Sequence, residues 1–185
     1  MIELNNLAIA DIKVIKTKQF IDHRGYFSET YNEVEFARVG VDLHFVQDNQ
    51  SMSSKAGTVR GLHYQSHPMA QDKLVRVIRG RIFDVVVDIR RSSRTFGKWV
   101  SIELTASDGN QLLVPKGFAH GFCTLEPHTE VMYKVSNYYS PSHDFGLLWS
   151  DPDISVDWPI TNGEAILSDK DKMLPRLREA SHLFD

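Results

Sequence analysis

From residue 12 to residue 139 the chain is written in short stretches of period two. Ile12-Lys13-Val14-Ile15-Lys16 alternates, and so does Tyr26-Phe27-Ser28-Glu29-Thr30-Tyr31 after the turn Asp22-His23-Arg24-Gly25. Phe45 to Ser51 alternates apolar and amide side chains, and Leu74 to Val77, Arg81 to Ile89, Trp99 to Leu104, Gln111 to Val114, Phe118 to Thr124 and Glu130 to Tyr139 continue the pattern. Turns are predicted at Arg79-Gly80, Ser107-Asp108-Gly109-Asn110 and Pro115-Lys116-Gly117. Strands of this length bury one face each and must close on one another, which predicts a β-sandwich or barrel of the jelly-roll type. Helix is expected only from Glu33 to Val39, closed by Gly40, and from about Lys170 to Ala180. A single all-β domain over residues 1–185, with short peripheral helices, accounts for the whole pattern.

Composition removes several functional classes. At 185 residues, with 42% hydrophobic and 24% charged side chains, the chain can bury a sizeable core. A net charge of −3 with dispersed basic residues offers no surface for nucleic acid or for a membrane. Cys123 stands alone, so neither an intrachain disulfide nor a cysteine zinc site can form. Met1-Ile2-Glu3-Leu4-Asn5 lacks the segments of a signal peptide and no apolar run approaches a membrane span, so a cytoplasmic location is expected.

The chemistry centres on Val59-Arg60-Gly61-Leu62-His63-Tyr64-Gln65. Strict alternation would set Arg60, Leu62 and Tyr64 on one face and Gly61, His63 and Gln65 on the other. His63 would then form part of a pocket wall, or else be a half-buried strand histidine bonded to a backbone carbonyl. Gly109, Pro115, Gly117 and His120 are spaced as in the second motif of the cupin superfamily, whose fold is a jelly roll, and Gly57, His63 and Gly80 are spaced as in the first. The resemblance departs where cupins ligate metal. Gln65 takes the second histidine position and Lys73 the glutamate position; an ammonium repels a divalent ion and an amide is a weak ligand. A metal-free cupin with histidine, lysine and tyrosine at its mouth suits proton transfer beside a carbonyl, which needs a base, a cation at the enolate oxygen and an acid. His63, Lys73 and Tyr133 match those roles. Each also has a plain structural reading: Lys73 as a solvated turn lysine, Tyr133 as core packing.

A more specific resemblance covers Phe20 to Pro175. The blocks Arg24-Gly25-Tyr26-Phe27-Ser28-Glu29, Gln47-Asp48-Asn49, Arg60 to Gln65, Lys73-Leu74-Val75-Arg76, Phe83 to Arg90, Pro115 to Phe122, Tyr138-Tyr139-Ser140-Pro141 and Leu167 to Asp171 resemble, in order, those of the dTDP-4-dehydrorhamnose 3,5-epimerases. The resemblance implies inversion at C3 and C5 of dTDP-4-keto-6-deoxy-D-glucose, giving dTDP-4-keto-L-rhamnose, without a cofactor. It implies His63 as base, Tyr133 as acid, Lys73 at the enolate oxygen and Asp171 orienting His63. Asp84 competes for the orienting role, and Asp169-Lys170-Asp171 could equally be a solvated helix start. It further implies substrate contacts from Arg24, Glu29, Gln47, Asn49, Arg60, His120, Asp144 and Lys170, a thymine stack on Tyr139, and a homodimer in which the strand bearing Arg24 and Glu29 completes the partner's site.

Three other readings compete. Relatives that invert only C3 or only C5 would share His63 and Tyr133. A metal-dependent cupin is disfavoured by Gln65 and Lys73. A non-catalytic sugar-nucleotide-binding jelly roll would not need His63, Tyr133 and Asp171 together.

Overall fold

The computed structural model describes residues 2–160 and 165–185. In chain order the elements are β1 (Glu3–Asn6), β2 (Lys13–Lys16), β3 (Gln19–Asp22), β4 (Gly25–Ser28), α1 (Glu33–Arg38), β5 (Gln47–Ser53), β6 (Val59–Gln65) and β7 (Lys73–Arg79). They continue with β8 (Arg81–Asp88), β9 (Trp99–Thr105), β10 (Asn110–Val114), β11 (Phe118–Thr124), β12 (Thr129–Val135), β13 (Asp144–Gly146) and α2 (Asp169–Lys172). Six strands form one antiparallel sheet in the order β1-β2-β10-β7-β12-β5, and five form a second in the order β13-β6-β11-β8-β9. This is the jelly-roll sandwich that the period-two patterning requires.

The inward faces of the two sheets meet in a core that includes Val75, Val77, Ile82, Val86, Leu112, Phe118, Phe122 and Val131. By alternation from these residues, Lys73 on β7, Asp84 on β8, His120 on β11 and Tyr133 on β12 also face inward, toward one end of the sandwich. The five-stranded sheet is covered on its outer face too. Leu62, Tyr64, Val85, Val87 and Ala119 pack there against Leu147, Ile154, Leu177 and Phe184 of the C-terminal segment. All seven residues of β11 are consequently buried. The outer face of the six-stranded sheet takes α1, whose Phe36 packs on Ile15, Leu74 and Leu113, and Asn32 caps that helix by accepting Glu35 N–H.

β6 breaks the expected alternation. His120 pairs with His63 but Phe122 pairs with Arg60, so three residues of β6 span two of β11. This bulge reverses the side-chain phase at Gly61 and sends Arg60 to the same side as His63, while Leu62 and Tyr64 go outward. Gly61 has φ of +121° and lies so close to β11 that a Cβ would meet Gly121 Cα and His120 O at 2.7 Å each.

Other boundaries differ from the sequence expectation for local reasons. The C-terminal helix splits into the four residues of α2, started by Ser168 and ended at Met173, and a 3-10 turn at Leu177–Glu179, because Pro175 interrupts it. The strands expected to run to Tyr31 and Tyr139 stop at Ser28 and Val135. The chain also pairs β1, β3 and β13, whose three or four residues carry too short a pattern to be read alone. The β3–β4 hairpin stands apart from both sheets with Phe20, Ile21, Tyr26 and Phe27 exposed by 52–79%.

Candidate active site

A cavity of about 400 Å³ opens at the end of the sandwich where β6, β7, β11 and β12 present their inward side chains. Its walls carry Arg60 and His63 from β6, Lys73 from β7, His120 and Phe122 from β11, Tyr133 from β12, and Lys170 and Asp171 from α2. α2 reaches the mouth because the segment before it is pinned there: Val59 N–H donates to Ile166 O and Ile166 N–H to Gly57 O.

Two histidines of this cavity are each paired with a carboxylate. His63 Nε2 is 2.7 Å from Asp171 Oδ1, and Asp171 Oδ2 accepts Gly61 N–H at 3.3 Å. With Nε2–H donated to the carboxylate, Nδ1 keeps the lone pair. Burial pushes the Asp171 carboxyl up, but His63, Gly61 N–H and Ser168 together hold it below the usual carboxylate range. Asp84 is occupied elsewhere, with His120 Nε2 2.8 Å from Oδ1 and 3.0 Å from Oδ2. Burial raises the Asp84 carboxyl, partly offset by His120 and Lys73. Of the two candidates for contact with His63, the structure selects Asp171. Asp171 is buried, contrary to the solvated helix start that its Asp-Lys-Asp context allows.

Lys73 is 9% exposed, not solvated as a turn lysine would be, and its Nζ donates to His63 O at 3.3 Å. Burial brings its pKa from 10.5 down to about 8, against the pull of the Asp144 and Asp84 carboxylates. Burial raises the Tyr133 phenol above its ordinary value, with Arg60 opposing and Asp144 adding to the shift. His63 belongs to the five-stranded sheet and Tyr133 to the six-stranded sheet, so the imidazole and the phenol enter the cavity from opposite walls.

A second ring of polar groups surrounds the mouth. Asp144 Oδ2 accepts from Tyr139 Oη at 3.1 Å and from Lys170 Nζ at 2.5 Å. Gln47 Oε1 accepts Tyr139 N–H, and Gln47 Nε2 donates to Asn49 Oδ1. Arg60 is braced by Ser53 Oγ and Met52 O through Nε and Nη2. Of the expected substrate contacts, Arg60, His120 and Lys170 line the cavity, Gln47, Asn49, Tyr139 and Asp144 stand outside its lining, and Arg24 and Glu29 lie on other surfaces of this chain. Arg24 lies on the exposed hairpin paired to Asp22, and Glu29 accepts from Asn32 Nδ2 in a separate depression. Gln65 does not line the cavity either; its amide is engaged with backbone groups of residues 69, 138 and 140.

Sequence reasoning passed over Ser51 and Ser53, although they continue the period-two series Gln47, Asn49 along β5. It also passed over Ser168, an N-cap three residues before Asp171, whose Oγ accepts Asp171 N–H. Phe122, Ile166 and Leu167, which form apolar wall, carry no pattern that separates them from core.

A cupin-type jelly roll with a histidine–aspartate pair, a buried ammonium and a phenol at its mouth defines an isomerase-class enzyme that works by proton transfer. The particular family follows from comparison with known proteins. Residues 6–179 match the family described as dTDP-4-dehydrorhamnose 3,5-epimerase, and the chain belongs to it. A dTDP-4-dehydrorhamnose 3,5-epimerase of Sinorhizobium fredii is 52% identical over 174 residues, covering 94% of this chain and 89% of that one. The crystal structure of the Bacillus anthracis enzyme with TDP and PPi bound superimposes with a TM-score of 0.92 at 50% identity, covering 95% of this chain and 99% of that one. That of the Legionella pneumophila dTDP-6-deoxy-D-glucose-3,5-epimerase in complex with dTDP-4-keto-L-rhamnose gives 0.93 at 40% identity, covering 98% and 95%.

Proposed function

We propose that this enzyme inverts C3 and C5 of dTDP-4-keto-6-deoxy-D-glucose to give dTDP-4-keto-L-rhamnose, using side chains alone. The observation that carries the reading is the entry of His63 and Tyr133 from opposite walls of one cavity with Lys73 between the sheets. The C4 ketone acidifies the neighbouring C–H bonds. His63 Nδ1 removes the proton, and Asp171 holds the ring and stabilises the imidazolium that forms. Electron density moves onto O4, where the Lys73 ammonium offsets it in a site with little water to compete. Tyr133, kept protonated by its burial, returns a proton to the opposite face. Repetition at the other carbon completes the double inversion.

The Arg60 fork, with Nε and Nη2 already braced, presents its remaining donor edge to the diphosphate, and His120, held by Asp84, donates beside it. Tyr139 stacks on thymine, with Gln47, Asn49, Asp144 and Lys170 around the sugar and base. Arg24 and Glu29 act in the site of a second copy. The apolar, exposed β3–β4 hairpin carries Arg24 away from its own cavity, Glu29 follows directly after it, and the hairpin would be covered in a homodimer. A cytosolic enzyme meets its nucleotide-sugar substrate where such compounds are made.

Incubation with dTDP-4-keto-6-deoxyglucose in D2O tests the reaction: deuterium at both C3 and C5 with L-rhamno product is expected, and label at one carbon alone would reduce the enzyme to a single epimerase. Mixing inactive His63→Asn and Arg24→Ala chains tests the shared site. Random pairing should restore about a quarter of native activity, because half of the dimers then carry one intact site. No restoration would place Arg24 outside the partner's site.

A further inference from the structure

Gln65 sits two residues beyond His63 on β6, and its side chain is buried with 4% of the residue exposed. Its amide uses every group toward the backbone. Nε2 donates to Met69 O at 2.6 Å and to Tyr138 O at 3.1 Å, and Oε1 accepts Ser140 N–H at 2.8 Å. Tyr138 O and Ser140 N flank Tyr139 on either side. The Tyr139 N–H itself goes to Gln47 Oε1 at 3.1 Å. Residues 137–140 lie outside any strand, and the Tyr139 residue is 56% exposed, so packing alone does not fix this ring.

We infer that Gln65 is a positioning residue for nucleotide binding, clamping the peptide groups on both sides of Tyr139 so that the ring is presented ready to stack. The inference rests on the proposed stacking role of Tyr139. An aromatic platform on an irregular segment loses rotational and backbone freedom when a base settles on it, and prior restraint of the backbone lowers that loss. The amide suits this better than the histidine that stands at the corresponding cupin position. One planar group supplies two donors and an acceptor, matching two carbonyls and one N–H.

The test compares dTDP and inorganic pyrophosphate binding by calorimetry in the native protein, Tyr139→Ala, Gln65→Met and the double variant. Base–aromatic stacking sets the expected scale: Tyr139→Ala and Gln65→Met should each weaken dTDP about tenfold, and the double variant no further. Pyrophosphate affinity should stay within about twofold of native, since the bare diphosphate carries no base to stack. A purely structural Gln65 would lower Tm and leave dTDP affinity native, and that result overturns the clamp. So do losses that multiply in the double variant, or an equal loss for pyrophosphate. If Tyr139→Ala binds dTDP normally, the stacking role itself is refuted; loss in Tyr139→Ala without loss in Gln65→Met refutes only the clamp.

Gln65→Glu keeps the test open should Gln65→Met not fold. Its carboxylate faces the carbonyls of Met69 and Tyr138, and protonation restores one donor. Its dTDP deficit relative to native should therefore shrink as pH falls, and a deficit independent of pH would overturn the inference.

Discussion

Replacing Lys73 should make the protein more stable and less active, and both effects follow from its burial. The folded chain holds this ammonium only below about pH 8, whereas an ordinary lysine keeps its proton to 10.5. Between those values the unfolded chain binds more protons, so stability rises with pH across that window as the unfavourable buried charge is lost. At about 1.4 kcal/mol per tenfold change in acidity, the site disfavours the ammonium by roughly 3 kcal/mol at neutral pH. Lys73→Met keeps the volume and removes the charge, so it should stabilise by on the order of 1–3 kcal/mol at pH 7 and lose the alkaline rise. Activity runs the other way. The enolate needs the cation, so kcat/KM should fall about tenfold per pH unit above pH 8, and Lys73→Arg, charged throughout, should move that limb upward. In the kcat profile the limb should sit at higher pH, because the bound diphosphate favours the protonated amine. Initial rates in D2O buffers followed by proton NMR, with chemical denaturation of the same variants, measure both halves. An alkaline limb that stays in place in Lys73→Arg, or a Lys73→Met protein no more stable than native, would refute the argument.

Tyr133→Phe should retain deuterium incorporation while inversion falls sharply, since His63 can still form the enolate and reprotonate it from its own face; loss of exchange as complete as in His63→Asn would remove Tyr133 from the opposite-face role. Asp171→Asn should lower exchange and inversion together, by roughly 10²–10⁴-fold, because the imidazolium loses its counter-charge, with dTDP affinity within about twofold of native as the control. Gly61→Ala should destabilise by roughly 2–4 kcal/mol in urea unfolding, because its Cβ would collide with the β11 backbone at a positive φ. EDTA dialysis should leave activity intact, since Lys73 and Gln65 stand where cupin ligands would; loss restored by one added metal would overturn the cofactor-free mechanism.

Much of this was legible from residue types. Period-two patterning has one physical solution, two faces closed on each other, so the jelly roll and its main strands follow from where Val, Ile and Phe recur. The grouping of His63, Lys73 and Tyr133 was legible as a candidate acid–base set, and the fold brings all three, from three strands, to one cavity. The phase of β6 was not legible. A bulge at Gly61 depends on how closely β11 approaches, and that contact joins residues about sixty apart. Nor could the pairing of carboxylates with imidazoles be assigned: Asp84 and Asp171 are equally acidic on paper, and only the docking of the C-terminal segment onto β6 gives Asp171 to His63 and leaves Asp84 to His120. Gln65 shows the same limit from the other side. Its position in a motif suggested a lost metal ligand, while its partners, the backbone of residues 69, 138 and 140, come together only when the chain is folded. Local patterning determines which face a side chain takes, because the backbone repeat is local. Which groups meet across that face is decided by tertiary packing, because those distances depend on every strand between them.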